Sequence, residues 1–444
     1  MDGNGLPRDR IAREAIAANF ADCAPALSRD EARIAAARCY FCHDAPCIEA
    51  CPTSIDIPLF IRGIATGNLK GAALTILEAN IFGGTCGRVC PTEILCERAC
   101  VRTAQEEEPV AIGALQRHAT DWLFAQNVQP FSRAPATGRR VAVVGAGPAG
   151  LSCAHGLARL GHAVTVFEAR EKPGGLNEYG IAAYKLVDDF AQSEVAFILG
   201  LGGITVEYGR VLGEDITLAA LRADFDAVFL GLGQAGANRL DLPGEDLPGV
   251  TDAIDFIADL REAADKSSLP VGRQVVVVGG GNTAIDAATQ ARKLGAEEVT
   301  IVYRRGPEAM SATREEQERA LVNGVAIRHW ATPVALEATA GRLVSVIFER
   351  THPDTGGRAV LSGERFALAA QMLLKAIGQH FVAEPLGTDG PRLEGRRIVV
   401  DPAGQTSLPG VFAGGDCIAG QDLTVQAVED GKNAARAIHR YFGC

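Results

Sequence analysis

The sequence predicts an α-helical, cysteine-rich head followed by two α/β units, the second inserted into the first. Three observations predict this. Nine of the twelve cysteines fall within the first hundred residues. From residue 138 short β-branched runs alternate with alanine-rich stretches, the texture of strand–helix units. Two of those units open on glycine turns, and the chain closes on a strand, a glycine turn and a long helix that suit the first unit.

Composition sets the outer bounds. At 444 residues the chain is too long for one ordinary core. It is 47% hydrophobic and 22% charged, with no apolar run near the ~20 residues that a membrane-spanning helix requires. The opening stretch, MDGNGLPRDRIAREAIAANF, is charged throughout and has no apolar core of a secretory signal. A cytoplasmic location is therefore expected, where thiols stay reduced and clustered cysteines read as metal or redox sites. The net charge of −11 argues against a nucleic-acid-binding face.

The head, residues 1–137, has few β-branched runs, and Asn68–Asn80 spaces its apolar residues at helical intervals. The segment 129–140, rich in Pro, Ser, Gly and Arg, reads as a linker. The first α/β unit is expected over 138–267 and 384–444, with the inserted unit over 268–383.

In the first unit the strand VAVV runs into Gly145, Ala146, Gly147, Pro148, Ala149 and Gly150. Gly145 permits the tight turn, Gly147 lets a pyrophosphate approach the backbone, and Gly150 lets helix and strand pack closely. The following helix offers its N-terminal N–H groups to the phosphates. Glu168 closes the next strand, about twenty residues on, where an acid accepts ribose hydroxyls.

The second unit has Gly279, Gly280, Gly281, Asn282 and Thr283 after VVVV, with Ala284 in place of the third glycine. No acid ends its second strand. Arg304 and Arg305 stand there, and guanidinium groups suit the 2′-phosphate of NADP, although solvated surface arginines would look the same in sequence. Order along the chain gives FAD to the first unit and NAD(P)H to the second. In the tail, Gly415 and Asp416 form a turn whose acid can accept hydrogen bonds from flavin hydroxyls. The helix starting near Thr424 can aim its positive end at the flavin ring.

The cysteines are spaced Cys39-x2-Cys42-x4-Cys47-x3-Cys51-Pro52, then Cys86, Cys90-Pro91, Cys96 and Cys100. Such sets suit zinc or an iron–sulfur cluster. The closing Cys-Pro resembles a ferredoxin run, whose middle spacing is x2 where this one is x4. Redox arithmetic favours clusters: a flavin takes two electrons together and releases them singly, and each cluster carries one. The α/β half holds only Cys153, Cys417 and Cys444 and no CxxC, so a dithiol outlet is missing. These three and Cys23 read as ordinary residues.

CYFCHDAPCIEACP, CGRVCPTEILCERAC, VAVVGAGPAGLSCAHGLARLG, GGLNEYGIAAYKL, GGGNTAIDAA and the GGDC tail span nearly the whole chain. Together they resemble the flavin-containing subunit of bacterial NAD-dependent dihydropyrimidine dehydrogenase and, more broadly, the glutamate synthase small subunit. The resemblance implies a helical head with two 4Fe–4S clusters. It assigns one to Cys39, Cys42, Cys47 and Cys100, and the other to Cys51, Cys90, Cys96 and Gln116, sixteen residues past Cys100. Cys86 matches a position that is not a ligand. Gly175 and Leu176 are implied at the flavin with Asp416 and the Thr424 helix end, and no acid–base residue is needed. The implied partner is an FMN-containing catalytic subunit that reduces uracil or thymine. The bacterial enzyme's NADH conflicts with the two arginines. The alternatives are a glutamate synthase small subunit feeding an amidotransferase, and a zinc-bearing nucleotide-binding scaffold.

Overall fold

A computed structural model describes Leu6 and residues 11–444. The chain divides into two compact units. One comprises residues 24–178, 188–236 and 380–444, and the other residues 11–23, 179–187 and 237–379.

The first unit joins a helical layer to a five-stranded parallel sheet. Helices form where side chains cap them. Ser28 and Glu31 make a reciprocal capping box at Arg29–Ala37. The Asp56 carboxylate accepts from the N–H of Leu59 at 3.0 Å at the start of Ile57–Ala65, and Asn68 accepts from Gly71 at Leu69–Ala79. The apolar faces of the last two bury Phe60, Ile61, Ile64, Ile76 and Leu77.

The sheet runs Val411–Ala413, Ala227–Leu230, Arg140–Val144, Ala163–Glu168, Ile204–Tyr208, every pair parallel. Its central strand is apolar and buried from Val141 to Val144, as a strand covered on both faces must be. An edge strand comes from the chain's C-terminal part, and the closing helix Thr424–Tyr441 lies on Pro148–Arg159. Gly431 makes this approach possible, since a Cβ there would sit 2.1 Å from the Ala149 carbonyl. The Lys432 ammonium donates to the carbonyls of Ala79, at 2.8 Å, and Thr53, which ties the closing helix to the head.

The second unit has its own five-stranded parallel sheet, in the order Val250–Asp252, Met372–Lys375, Gln274–Val278, Glu298–Tyr303, Ala326–His329. A three-stranded antiparallel sheet follows from Ala331–Thr339, Arg342–Pro353 and Ala359–Ala369. The segment 179–187 is pinned here by buried Lys185, whose ammonium meets Asp286 at 2.6 Å and Glu316 at 2.7 Å.

Three boundaries differ from those expected. The head is continuous with the first sheet, because Ile61 and Leu115 share one apolar core with Val143 and Leu151. The second unit begins at 237 and not 268: the strand Val250–Asp252 pairs beside Met372–Lys375, and Phe256 and Ile257 enter that unit's core. It also takes residues 11–23, whose Ile16 and Phe20 pack with Tyr184, and it ends at 379 because Phe381 packs with Val144 and Phe167. The segment 128–139 carries no helix or strand, as a linker should, yet the N–H of Ala134 donates to Arg159 and Phe131 is buried. Among the described residues no helix is long and apolar enough to cross a membrane.

Candidate redox-cofactor sites

The first glycine turn is built by close backbone approach. A Cβ on Gly145, at φ +96°, would lie 2.3 Å from the Gly231 carbonyl, and one on Gly150 would lie 1.9 Å from that of Gly145. Glu168 is buried behind the turn and accepts from the N–H groups of Ala146 and Arg170, each at 2.8 Å. Gly147 caps the helix Pro148–Arg159 with no side chain over its end, so the first-turn N–H groups stay open to an anion.

Three further segments meet this turn. Gly174 donates to the Ala146 carbonyl at 2.7 Å, and a Cβ on Gly175 (φ +56°) would fall 2.7 Å from the Gly147 Cα. Leu176 is partly exposed beside it, at 39%. A Cβ on Gly415 would lie 2.9 Å from that of Ala149. The Thr424 hydroxyl donates to Asn177 Oδ1 at 2.9 Å, while the buried Nδ2 of Asn177 has no partner in the protein. Burial lifts the Asp416 carboxyl to about 6, reinforced by Asp422 and Asp430 and opposed by Arg397.

The second turn repeats the design. A Cβ on Gly279 would meet the Ala376 carbonyl at 2.2 Å, and one on Gly280 the Tyr303 ring at 2.5 Å. Gly281 caps Asn282–Lys293 and no side chain covers that helix end. Asn282 is exposed and accepts from the Thr313 N–H, and Thr283 is half-buried. Arg304 and Arg305 follow the strand Glu298–Tyr303, whose Tyr303 ring lies against Gly280. Their carbonyls are held by Thr351 and Trp330. Arg304 is exposed, and the buried Nε of Arg305 has no partner.

Eight cysteines of the first unit line two cavities. Cys39, Cys42, Cys47 and Cys100 line an outer one with Ile57, Ile61 and Val110. Cys51, Cys90, Cys96 and Gln116 line an inner one, together with Cys86, Asn80 and Val425. Ile57 belongs to both walls, and Val425 follows Thr424 at the start of the closing helix. All twelve cysteines are free thiols. Among the described residues no three His, Cys, Asp or Glu side chains group so as to hold a metal ion, so each cysteine set surrounds a space instead of converging on a point.

The sulfurs differ in their supports. Cys39 accepts from the N–H of Phe41 at 3.4 Å. Cys51 lies 3.3 Å from the Thr53 hydroxyl. The Gln116 amide nitrogen donates to the Gly83 carbonyl at 2.8 Å. Burial pushes Cys47 up to about 12, aided by Cys100 and Cys39, and burial raises Cys39 and Cys96 as well. Cys90 is raised first by its hydrogen bond with Cys86 and then by burial. Without metal these thiols keep their protons, which metal binding must displace.

Comparison with known proteins places the chain. A profile of the pyridine nucleotide-disulphide oxidoreductases matches residues 139–431, and one described as dihydropyrimidine dehydrogenase domain II, 4Fe-4S cluster, matches residues 16–128. The NAD-dependent dihydropyrimidine dehydrogenase subunit PreT of Salmonella typhimurium LT2 is 36% identical over 408 residues, covering 92% of this chain and 93% of its own. The chain belongs to the PreT family. It is also related to the glutamate synthase (NADPH) small chain of Escherichia coli K12, at 34% identity over 95% of this chain and 94% of that one. The fold of Mycobacterium tuberculosis FprA, solved in complex with NADPH, matches 70% of this chain and 85% of that chain, with a TM-score of 0.58 at 20% identity.

As a member of the PreT family the chain is an NAD(P)H-dependent flavin and iron–sulfur oxidoreductase. Its residues fit those groups: the orphaned Asn177 amide and the open helix end at Gly147 suit a flavin nucleotide, and the thiol-lined cavities suit iron and sulfide. Two supporting residues are invisible to motif reading. Asn177 stands inside GGLNEYG with nothing local to mark it. Glu194 is fully buried and accepts from the N–H groups of Gly84 (2.8 Å) and Thr85 (3.0 Å) and from the Thr85 hydroxyl, capping the helix Gly83–Val89 that carries Cys86. Burial lifts its carboxyl to about 7, against those donors and Arg88.

Proposed function

We propose that this chain is the electron-input subunit of a dihydropyrimidine dehydrogenase, serving an FMN-containing partner that reduces uracil or thymine in the cytoplasm. When bound, FAD supplies two-electron acceptance from NAD(P)H and two 4Fe–4S clusters supply one-electron carriage. Cys39, Cys42, Cys47 and Cys100 hold one cluster in the outer cavity. Cys51, Cys90, Cys96 and Gln116 hold the other in the inner cavity. Gly145, Gly147, Pro148, Ala149 and Gly150 bind the flavin nucleotide's phosphates and Glu168 orients its ribose, while Gly175, Leu176, Gly415, Asp416 and Thr424 position the ring and ribityl chain. Gly279, Gly280, Gly281, Asn282 and Thr283 receive the nicotinamide nucleotide. The guanidinium groups of Arg304 and Arg305 suit the 2′-phosphate of NADPH; among the relatives PreT is named NAD-dependent and the glutamate synthase small chain NADPH-dependent, and the donor is NAD(P)H.

One observation carries the reading: the walls form a series. Val425 joins the flavin-facing helix end to the inner cavity, and Ile57 joins the inner cavity to the outer. Anaerobically reconstituted protein is expected to reduce an artificial dye with NAD(P)H and to leave uracil unchanged until the catalytic subunit is added. Uracil reduction by the isolated chain, or an absence of iron and acid-labile sulfide, defeats the proposal.

A second reading, a glutamate synthase small chain, draws on the 34% identity to that protein. Co-purification from native extract separates the two, since the partners differ in size.

A further inference from the structure

Two side chains from remote segments meet at one peptide group beside the inner cavity. Glu194, on the helix Phe190–Leu199, is fully buried. Its Oε1 accepts from the N–H of Gly84 at 2.8 Å and that of Thr85 at 3.0 Å. The carbonyl of Gly83, the other half of the Gly83–Gly84 peptide, accepts from Nε2 of Gln116 at 2.8 Å. Gln116, on the helix Ile112–Ala125, is itself buried and lines the inner cavity. A trans peptide is planar with its N–H and C=O opposed, so carboxylate, peptide and amide stand in series. A carbonyl only accepts, so the amide end facing Gly83 is the nitrogen, and Oε1 is the end left for a metal. Close packing holds the peptide in place. A Cβ on Gly83 would lie 2.5 Å from Ile76 Cγ2, and one on Gly84 2.5 Å from the Phe190 ring. Arg88 also faces the carboxylate, and its charge is met by Asp121 at 2.6 Å.

We infer that Glu194 is a positioning residue for the inner cluster: through the Gly83–Gly84 peptide it holds the Gln116 amide with Oε1 available to iron and makes that oxygen a stronger donor. The inference rests on the inner-cavity ligand set proposed above, and on Gln116 within it. Negative charge on the N–H side polarises the peptide and makes its carbonyl a better acceptor. A better acceptor at Nε2 in turn shifts electron density toward Oε1. An amide oxygen carries no charge, unlike the three thiolates beside it, so its binding depends more on such outer support. Stronger donation to iron disfavours the added electron of the reduced cluster. Losing the charge of Glu194 should therefore raise the inner potential.

The test uses the full, anaerobically reconstituted chain at about pH 8.5, where a carboxyl raised to about 7 is ionised. Redox titration followed by electron paramagnetic resonance reads each cluster. Q116A checks the ligand set by itself: a changed or lost inner signal keeps it, and an unchanged signal removes Gln116 as a ligand and the inference with it. E194Q keeps an oxygen acceptor for the two N–H groups and loses the charge. Its inner reduction equilibrium constant is expected to rise about threefold, about 28 mV for a one-electron couple, with the outer cluster unmoved. Q116E keeps an oxygen ligand but removes the N–H that meets Gly83, which cuts the series. In that background E194Q is expected to shift nothing, and a double-mutant cycle reads the difference. An equal shift in both backgrounds overturns the inference and leaves a charge acting through space. No shift in E194Q, with the Q116A signal changed or lost, overturns the inference and keeps the ligand set. Should E194Q fail to fold, T85A takes its place. Removing the hydroxyl from the same carboxylate tightens its hold on the two N–H groups, so the inner potential should fall, and only where Gln116 is present; an unmoved potential overturns the inference.

Discussion

The two cysteine cavities are built to different specifications. The outer one is lined by four half-exposed thiols, and the sulfur of Cys39 accepts from the backbone N–H of Phe41. The inner one mixes three candidate thiol ligands with a side-chain amide and surrounds them with buried polar groups: Asn80, Cys86, Thr53 and, through its helix cap, Glu194. Potentials depend on charge, burial and hydrogen bonds to sulfur, so the inner site is the one tuned by its protein. The four half-exposed thiols of the outer site make it the expected point of hand-over under the proposed function.

Breaking the outer site should have the largest effect. Cys47→Ser is expected to lower partner-coupled turnover by more than the roughly 100-fold seen for second-shell losses, with NAD(P)H-driven dye reduction kept within about twofold. Stopped-flow reduction of the flavin, alongside the coupled assay, measures both. Equal losses in the two assays would merge the cavities into one functional unit.

Glu194 provides a pH test confined to the inner side. A carboxyl whose folded value is raised from 4.5 to about 7 binds its proton more tightly when folded, so folding stability falls as pH rises across that window. The penalty is about 3 kcal/mol for that shift. Denaturant unfolding between pH 5 and pH 7.5 should show this slope, and Glu194→Gln should flatten it. A slope of equal size in the variant would remove Glu194 as its source.

Gln116→Glu sharpens the contrast in charge. A carboxylate there adds negative charge to the inner site and removes the donor to Gly83, so the inner potential is expected to drop by about tenfold in equilibrium constant while the outer holds. The double variant R304A/R305A should cut kcat/KM for NADPH about tenfold and leave NADH within about twofold, the range of a lost charge-assisted contact. The smallest effect concerns assembly. Because burial raises Cys39, Cys47 and Cys96, iron incorporation into the apoprotein should quicken severalfold from pH 7 to pH 9.

How much of this is written locally decides what could be read from sequence. Gly145, Gly150 and Gly279 are legible because each is forced by a carbonyl of its own strand–turn–helix unit or its neighbouring strand, a constraint that spacing reveals. The short helix Gly83–Val89 and the three-residue strand Val250–Asp252 leave little periodicity to find. Asn177 takes its meaning from Thr424, 247 residues away, and Glu194 from Thr85, 109 residues away. No window of sequence contains both members of such a pair.

By itself the sequence determined the chemistry: the thiol sets, the two glycine turns, the acid after one and the arginines after the other. These depend on residue type and short spacing, which survive any arrangement of the remainder. Tertiary structure alone decided the seriation, with Val425 in the inner wall and Ile57 shared by the two cavities. It also decided that the buried Asn80 amide leans on the Cys86 sulfur. Those facts are distances between segments remote in the chain, and only packing sets them.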